Sequence, residues 1–308
     1  MSLAPWHADS WQRLLARRAQ GRLPHALLLC GPAGLGKRVF ADAFAAALLC
    51  EHADEAPCGQ CRACRLVHAG SHPDKVRISF DLRDDGKLRT EIIVDQMRAL
   101  SARLAMTAQF GGLQIALIDP ADAMNANAAN ALLKTLEEPT PATVIVLLAD
   151  RPARLPATIR SRCQRIDFSL PPEEQALAWL RAQEIDARTA TAALAAAGGN
   201  PGMALELARS GGLALRAEVD DDLRALAAGK AAASAIANRW SKSEPEQRLW
   251  FAALLVERAA ADTALALTAR ADLPKLAAGF DRINRAREHL RGPLRPELVI
   301  LDALSALA

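Results

Sequence analysis

The segment Gly31-Pro32-Ala33-Gly34-Leu35-Gly36-Lys37 has the form G-x-x-x-x-G-K of a phosphate-binding loop, which few folds accommodate. Such a loop needs a buried strand before it and a helix after it, so that backbone N–H groups converge on a phosphate. Both flanks are present: Ala26–Cys30 is a short apolar run, and Arg38 to Leu49 has a helical pattern. The residue after the lysine is wrong for metal-assisted chemistry. A Ser or Thr there would ligate Mg²⁺ through its hydroxyl. Arg38 has donors but no acceptor, so it cannot take that role. The chain reads as a nucleotide-hydrolase frame with a part missing.

Further strand candidates are Lys75–Phe80, Gln114–Asp119, Thr143–Ala149 and Gln164–Phe168, with helical patterns at Glu91–Ala105 and Asn125–Glu138 between them. This alternation predicts βαβ units and a mainly parallel sheet over residues 1–168, with the phosphate loop at the carboxyl ends of the strands. Pro171-Pro172 marks a boundary. Residues 169–209 read as two or three short helices around Gly198-Gly199-Asn200-Pro201-Gly202. Residues 210–308 read as a helical bundle with breaks near Gly229, Glu244-Pro245, Pro274, Gly292-Pro293 and Pro296. The expected fold class is α/β followed by all-α.

The chain has 308 residues, 51% hydrophobic and 24% charged, which fits a soluble protein of two or three domains. A net charge of +3 does not by itself indicate nucleic-acid binding, so any such contact needs a local patch. No apolar run approaches bilayer length, and Met1 to Gln20 lacks a basic-then-apolar signal pattern. A cytoplasmic setting with reduced thiols and no membrane partner is expected.

Four of the six cysteines cluster. Cys50, Cys58, Cys61 and Cys64 form C-x₇-C-x₂-C-x₂-C, and four thiolates suit a closed, tetrahedral, structural Zn²⁺ site. The alternative is a set of reduced thiols, some buried as small hydrophobes. Cys30 and Cys163 fall at strand ends and read as core.

The rest of the nucleotide machinery departs from the hydrolytic pattern. Gln114–Asp119 is an apolar strand ending in an acid, which in P-loop NTPases holds Mg²⁺. Read alone, Asp119 also fits a buried strand ending at a turn. The next position, where an acid would place the attacking water, is Pro120, and Asp122 is displaced along the turn. Ala149-Asp150 ends the next strand where a small polar residue is usual.

Three further segments carry a resemblance. They are Gln20-Gly21-Arg22-Leu23-Pro24-His25-Ala26, Asn130-Ala131-Leu132-Leu133-Lys134-Thr135-Leu136-Glu137-Glu138-Pro139, and Ser161-Arg162-Cys163. With the degenerate phosphate loop, these make the chain similar to the delta-prime subunits of bacterial DNA polymerase III clamp loaders, of the AAA+ class. The likeness is strongest from Arg22 to Phe168 and weaker in the last third, where Pro296-Glu297-Leu298 still fits.

The resemblance implies an AAA+ P-loop sheet bearing a zinc module, a small helical lid and a C-terminal helical collar. It also implies a hetero-pentameric ring with delta and gamma/tau subunits. The ring would be cytoplasmic, in a nucleoid-associated replisome. It places the sliding clamp on primer-template DNA, and this subunit would touch the clamp at most indirectly. The lid arginine common in AAA+ ATPases is replaced by Gly202 and Met203, a fourth departure beside Arg38, Pro120 and Asp150. In this family the subunit does not hydrolyse ATP, and Gly31, Gly34, Gly36, Lys37 and Asp119 form a vestigial site in which ATP binding remains open. Arg162 would reach the ATP of a neighbour, the alternative being a surface ion pair. Lys134 would touch a DNA phosphate or be a solvated helix lysine. Two rival readings are a AAA+ ATPase with its own turnover and a zinc-dependent DNA-binding protein. The small net charge and the absence of finger spacing oppose the second.

Overall fold

Three buried apolar runs, flanked by two partly exposed edge strands, set up a sheet of five parallel strands. They are β1 (Ala26–Cys30), β2 (Lys75–Ile78), β3 (Gln114–Ile118), β4 (Thr143–Ala149) and β5 (Gln164–Asp167), in the order β2-β3-β4-β1-β5. The central strands β1, β3 and β4 are buried throughout, as parallel strands covered on both faces must be. The edge strands β2 and β5 are partly exposed and carry the charged residues Lys75, Arg77, Arg165 and Asp167. This is a computed structural model, and it describes residues 3–83, 85–265, 273–290, 292 and 294–307.

The helices of this part are α1 (Ala8–Ala19), α2 (Lys37–Leu49), α3 (Arg62–His68), α4 (Val94–Leu104), α5 (Ala126–Glu137) and α6 (Ala157–Arg160). The period of two along each strand divides the apolar residues between two layers. Leu27 and Leu29 pack with Leu14, Phe40 and Phe44 of α1 and α2. Leu28 faces the other layer, with Met97, Leu100, Leu132, Leu136 and Ile159 of α4, α5 and α6. Asn125 caps α5 by accepting from the Ala128 N–H at 2.9 Å.

The chain divides into two compact units, Met1–Gln175 and Ala176–Ala308. The second begins within α7 (Glu173–Ala182). It continues through α8 (Ala187–Ala196), α9 (Pro201–Ser210), α10 (Gly212–Ala227), α11 (Ala233–Lys242), α12 (Pro245–Leu265), α13 (Leu273–His289) and α14 (Pro296–Ser305). Asn200 and Pro201 start α9 with a side-chain cap and a first-turn proline. One apolar cluster joins Leu180, Leu194 and Leu207 to Trp240, Phe251, Ile283 and Ile300. The segments read from sequence as lid and collar therefore share a core within this unit. Pro293, one of the expected breaks, lies outside the described residues. Among the described residues no helix is long and apolar enough to cross a membrane.

Candidate functional site

The phosphate-type loop runs from the end of β1 into α2, as its sequence requires. Two glycines are structurally forced. A Cβ on Gly31 (φ +144°) would lie 2.1 Å from the Phe168 carbonyl oxygen, and one on Gly36 (φ +82°) would lie 2.8 Å from His7 Cε1. His7 is itself 2% exposed, with Nε2 2.7 Å from the Leu35 carbonyl oxygen. Its ring packs edge-on against Phe40 and Phe168, and burial lowers its pKa against the opposing pull of that hydrogen bond. Trp6 Nε1 donates to the same carbonyl at 3.3 Å. The segment before α1 is thus fastened to the loop, a contact with no signal in the sequence pattern.

Lys37 is only 5% exposed and turns back on its own loop. Its ammonium donates to the carbonyls of Gly31 at 2.6 Å and Pro32 at 2.8 Å, and pairs with Asp150 Oδ1 at 2.6 Å. A lysine has three N–H donors, and here all three have acceptors. The strand-end residue that departs from the small polar type is therefore a counter-charge for the loop lysine.

Asp119 also faces cations of the chain itself. Arg38 Nε donates to its Oδ2 at 2.7 Å and Arg77 Nη1 to the same oxygen at 3.1 Å. Asp119 is 5% exposed, so its carboxylate is neutralised by guanidinium groups where a P-loop NTPase would use it on Mg²⁺. The Asp119 bond raises the Arg38 pKa. The network continues through Arg77 Nη2, 2.7 Å from both Asp42 oxygens, to Lys75 Nζ, 2.7 Å from Asp42 Oδ1. Burial opposes the Asp42 charge, but the hydrogen bond from Lys75 and the charge of Arg77 outweigh it and hold this carboxyl below its ordinary range. Arg77 is a site residue that sequence reasoning missed, because nothing in a strand pattern marks a long side chain that reaches the end of the next strand. Asp122 accepts from the Arg151 N–H at 2.9 Å and braces the turn.

Arg162 is at the other end of the sheet. β1 and β5 run parallel with Leu27 opposite Gln164, so Arg162 precedes the strand start while the phosphate loop follows the strand end. The strand length between them is roughly 16 Å. Arg162 Nη2 lies 2.5 Å from Glu137 Oε1, and Nη1 donates to the Thr158 carbonyl at 3.0 Å. Cys163 beside it is buried, which pushes its thiol up to about 12.

The four clustered cysteines converge. Their sulfur atoms all lie within 4.8 Å of one another. A tetrahedral ion with bonds of about 2.3 Å puts its sulfur ligands about 3.8 Å apart, so the set fits a metal ion with a small contraction. Backbone N–H groups already point at the sulfurs: Cys61 N to Cys58 Sγ and Cys64 N to Cys61 Sγ, both at 3.3 Å. Burial opposes ionisation of Cys61, yet the hydrogen bonds its sulfur accepts, from the Cys64 N–H first, bring its thiol down to about 6, while burial pushes Cys64 up to about 12.

Lys134 is exposed on α5. It lines a groove of about 770 Å³ between α4 and α5, with Arg98, Ser101, Asn127, Asn130 and Thr135.

The family model described as DNA polymerase III, delta subunit, matches residues 6–172. The DNA polymerase III subunit delta' of Pseudomonas aeruginosa is 41% identical over 240 residues, 77% of this chain and 71% of that one. The Haemophilus influenzae subunit delta' is 38% identical over 211 residues, 68% of this chain and 63% of that one. The Escherichia coli subunit delta' is 37% identical over 205 residues, 66% and 60%. The chain thus spans less than two thirds of the length of the latter two relatives.

Proposed function

Because the chain belongs to the DNA polymerase III delta' family, we propose that it is a non-hydrolysing subunit of a clamp loader that presents Arg162 to the ATP of a neighbouring subunit. The supporting observation is the contrast between the two ends of its sheet. At one end Lys37 is neutralised by Asp150, and Asp119 by Arg38 and Arg77. At the other, Arg162 is 36% exposed and a sheet length away from its own phosphate loop. An arginine so placed serves another molecule's phosphates, and its permanently charged, planar fork suits that task.

In this reading the partners are delta and gamma/tau subunits in a hetero-pentameric ring, acting in the cytoplasm at the replisome on the nucleoid. Primer-template DNA is met through the complex, with Lys134 and its groove giving sequence-independent phosphate contact. The sliding clamp is touched at most indirectly. Cys50, Cys58, Cys61 and Cys64 hold one Zn²⁺ with a structural role. Gly31, Gly34, Gly36 and Lys37 keep the loop's form, which favours one second reading: a clamp-loader-like AAA+ ATPase with its own turnover.

Co-purification with candidate clamp-loader subunits, then ATPase assay with and without the chain, tests the role. Arg162→Ala should leave assembly intact and slow ATP turnover and clamp loading, whereas Arg154→Ala, at an exposed arginine nearby, should do little. Trans arginines contribute about 10³–10⁵ in rate in GTPases, and one among several shared sites gives less. Wild-type loading rates in the Arg162→Ala complex across ATP concentrations overturn the trans role. Turnover by the isolated chain that is lost in Lys37→Ala favours the second reading.

A further inference from the structure

We infer that Glu137, the last residue of α5, is the positioning residue for Arg162. This rests on the trans role proposed for that arginine. Glu137 Oε1 holds Nη2 at 2.5 Å, and the Thr158 carbonyl holds Nη1 at 3.0 Å. The two acceptors come from different elements, so together they fix the plane of the guanidinium as well as its position. Five N–H donors exist on the group. Two are engaged here, and three remain for phosphate oxygens. With the carbonyl alone the guanidinium would pivot about a single hydrogen bond.

Both supports are anchored. Leu136, next to Glu137, is 2% exposed, and its carbonyl meets His25 Nε2 at 3.1 Å. Ile159, next to Thr158, is fully buried, and its carbonyl accepts from the Arg162 N–H at 3.2 Å. Leu132, Leu136 and Ile159 already join α5 to α6 through the apolar core. The Arg162 and Glu137 side chains are 36% and 49% exposed, and ion pairs so wetted contribute little to stability. What the pair does supply is orientation: the arginine reaches the interface already aligned and loses less freedom when it meets a phosphate.

The test compares Glu137→Ala, Glu137→Gln, Arg162→Ala and the Glu137→Ala/Arg162→Ala pair in the reconstituted complex, with ATP as substrate. Glu137→Ala should lower kcat about two- to fivefold, the range an exposed pair can command, with KM for ATP, assembly and Tm unchanged. Glu137→Gln, whose amide oxygen still accepts, should recover most of the loss. In the Arg162→Ala background, Glu137→Ala should cost nothing further. A slow Arg162→Ala complex beside a wild-type Glu137→Ala complex overturns the positioning role and leaves the trans role standing. An equal loss from Glu137→Ala with and without Arg162 also overturns it, because the carboxylate then acts by another route. If Arg162→Ala is itself without effect, the trans role falls and the positioning role with it.

Discussion

Arg38 Nε and Asp119 Oδ2 are 2.7 Å apart, so the side chain standing where a metal-ligating hydroxyl belongs binds the carboxylate that would share that metal. The substitution does more than delete a ligand. It places a fixed positive charge against Asp119, and Arg77 adds a second at 3.1 Å. Mg²⁺ would have to displace both, and Pro120 supplies no acid for the water beyond it.

Restoring one part should therefore not restore catalysis. The isolated protein and its Arg38→Thr variant are both expected to turn over ATP far below ~1 s⁻¹, the low end of competent enzymes. Phosphate release measured with and without Mg²⁺ checks this. Turnover near ~1 s⁻¹ that disappears in Lys37→Ala would show that the site is catalytic.

Asp150 is expected to compete with nucleotide for Lys37. Asp150→Asn keeps the shape and removes the counter-charge, so ATP affinity by calorimetry should rise about tenfold, the effect of one charge-assisted hydrogen bond set free. Equal affinities in the two proteins would mean that the ion pair is not the barrier.

The pure protein should carry one zinc per chain. Cys61→Ser should release it and loosen the segment from Cys50 to His68, while the far-ultraviolet signal of the sheet persists, because its buried strands do not depend on the cluster. Metal analysis far below one equivalent, with all thiols open to titration, would count against a metal site.

His7 should make stability depend on pH. Burial lowers its pKa in the folded chain below the ordinary value of about 6.5. On acidification the unfolded chain takes the proton first, so this stability is full above about pH 6.5 and falls as pH drops toward the lower folded value. His72 is lowered by burial too and contributes in the same direction. Urea midpoints measured from about pH 5 to 8 should slope less in His7→Phe than in the wild type. Parallel slopes would mean that His7 does not titrate as a buried base.

Much of the fold was legible. Each strand begins at its expected residue, and β2, β3 and β5 end only one or two residues short of their expected limits. Burial on both faces leaves a continuous apolar signature that a sequence shows directly. Helix α1 carried no comparable sign: half of its residues are polar, and Leu14 is its one buried side chain. Arg38, Asp119 and the cysteine cluster were visible because each sits at a fixed offset in a motif. The partners of those residues were not. Arg77 reaches Asp119 from 42 positions away and Glu137 reaches Arg162 across 25, and neither separation repeats a local period.

The parallel pairing of β1 with β5 gives the first unit a polarity. Under the trans role proposed for Arg162, one rim of the sheet faces nucleotide and the opposite rim offers an arginine, so relatives stacked rim to rim would form a directional row with unlike ends. A member whose Lys37 and Asp119 are held by its own side chains would then serve at the end where its arginine rim faces inward, and would tell the row where to begin.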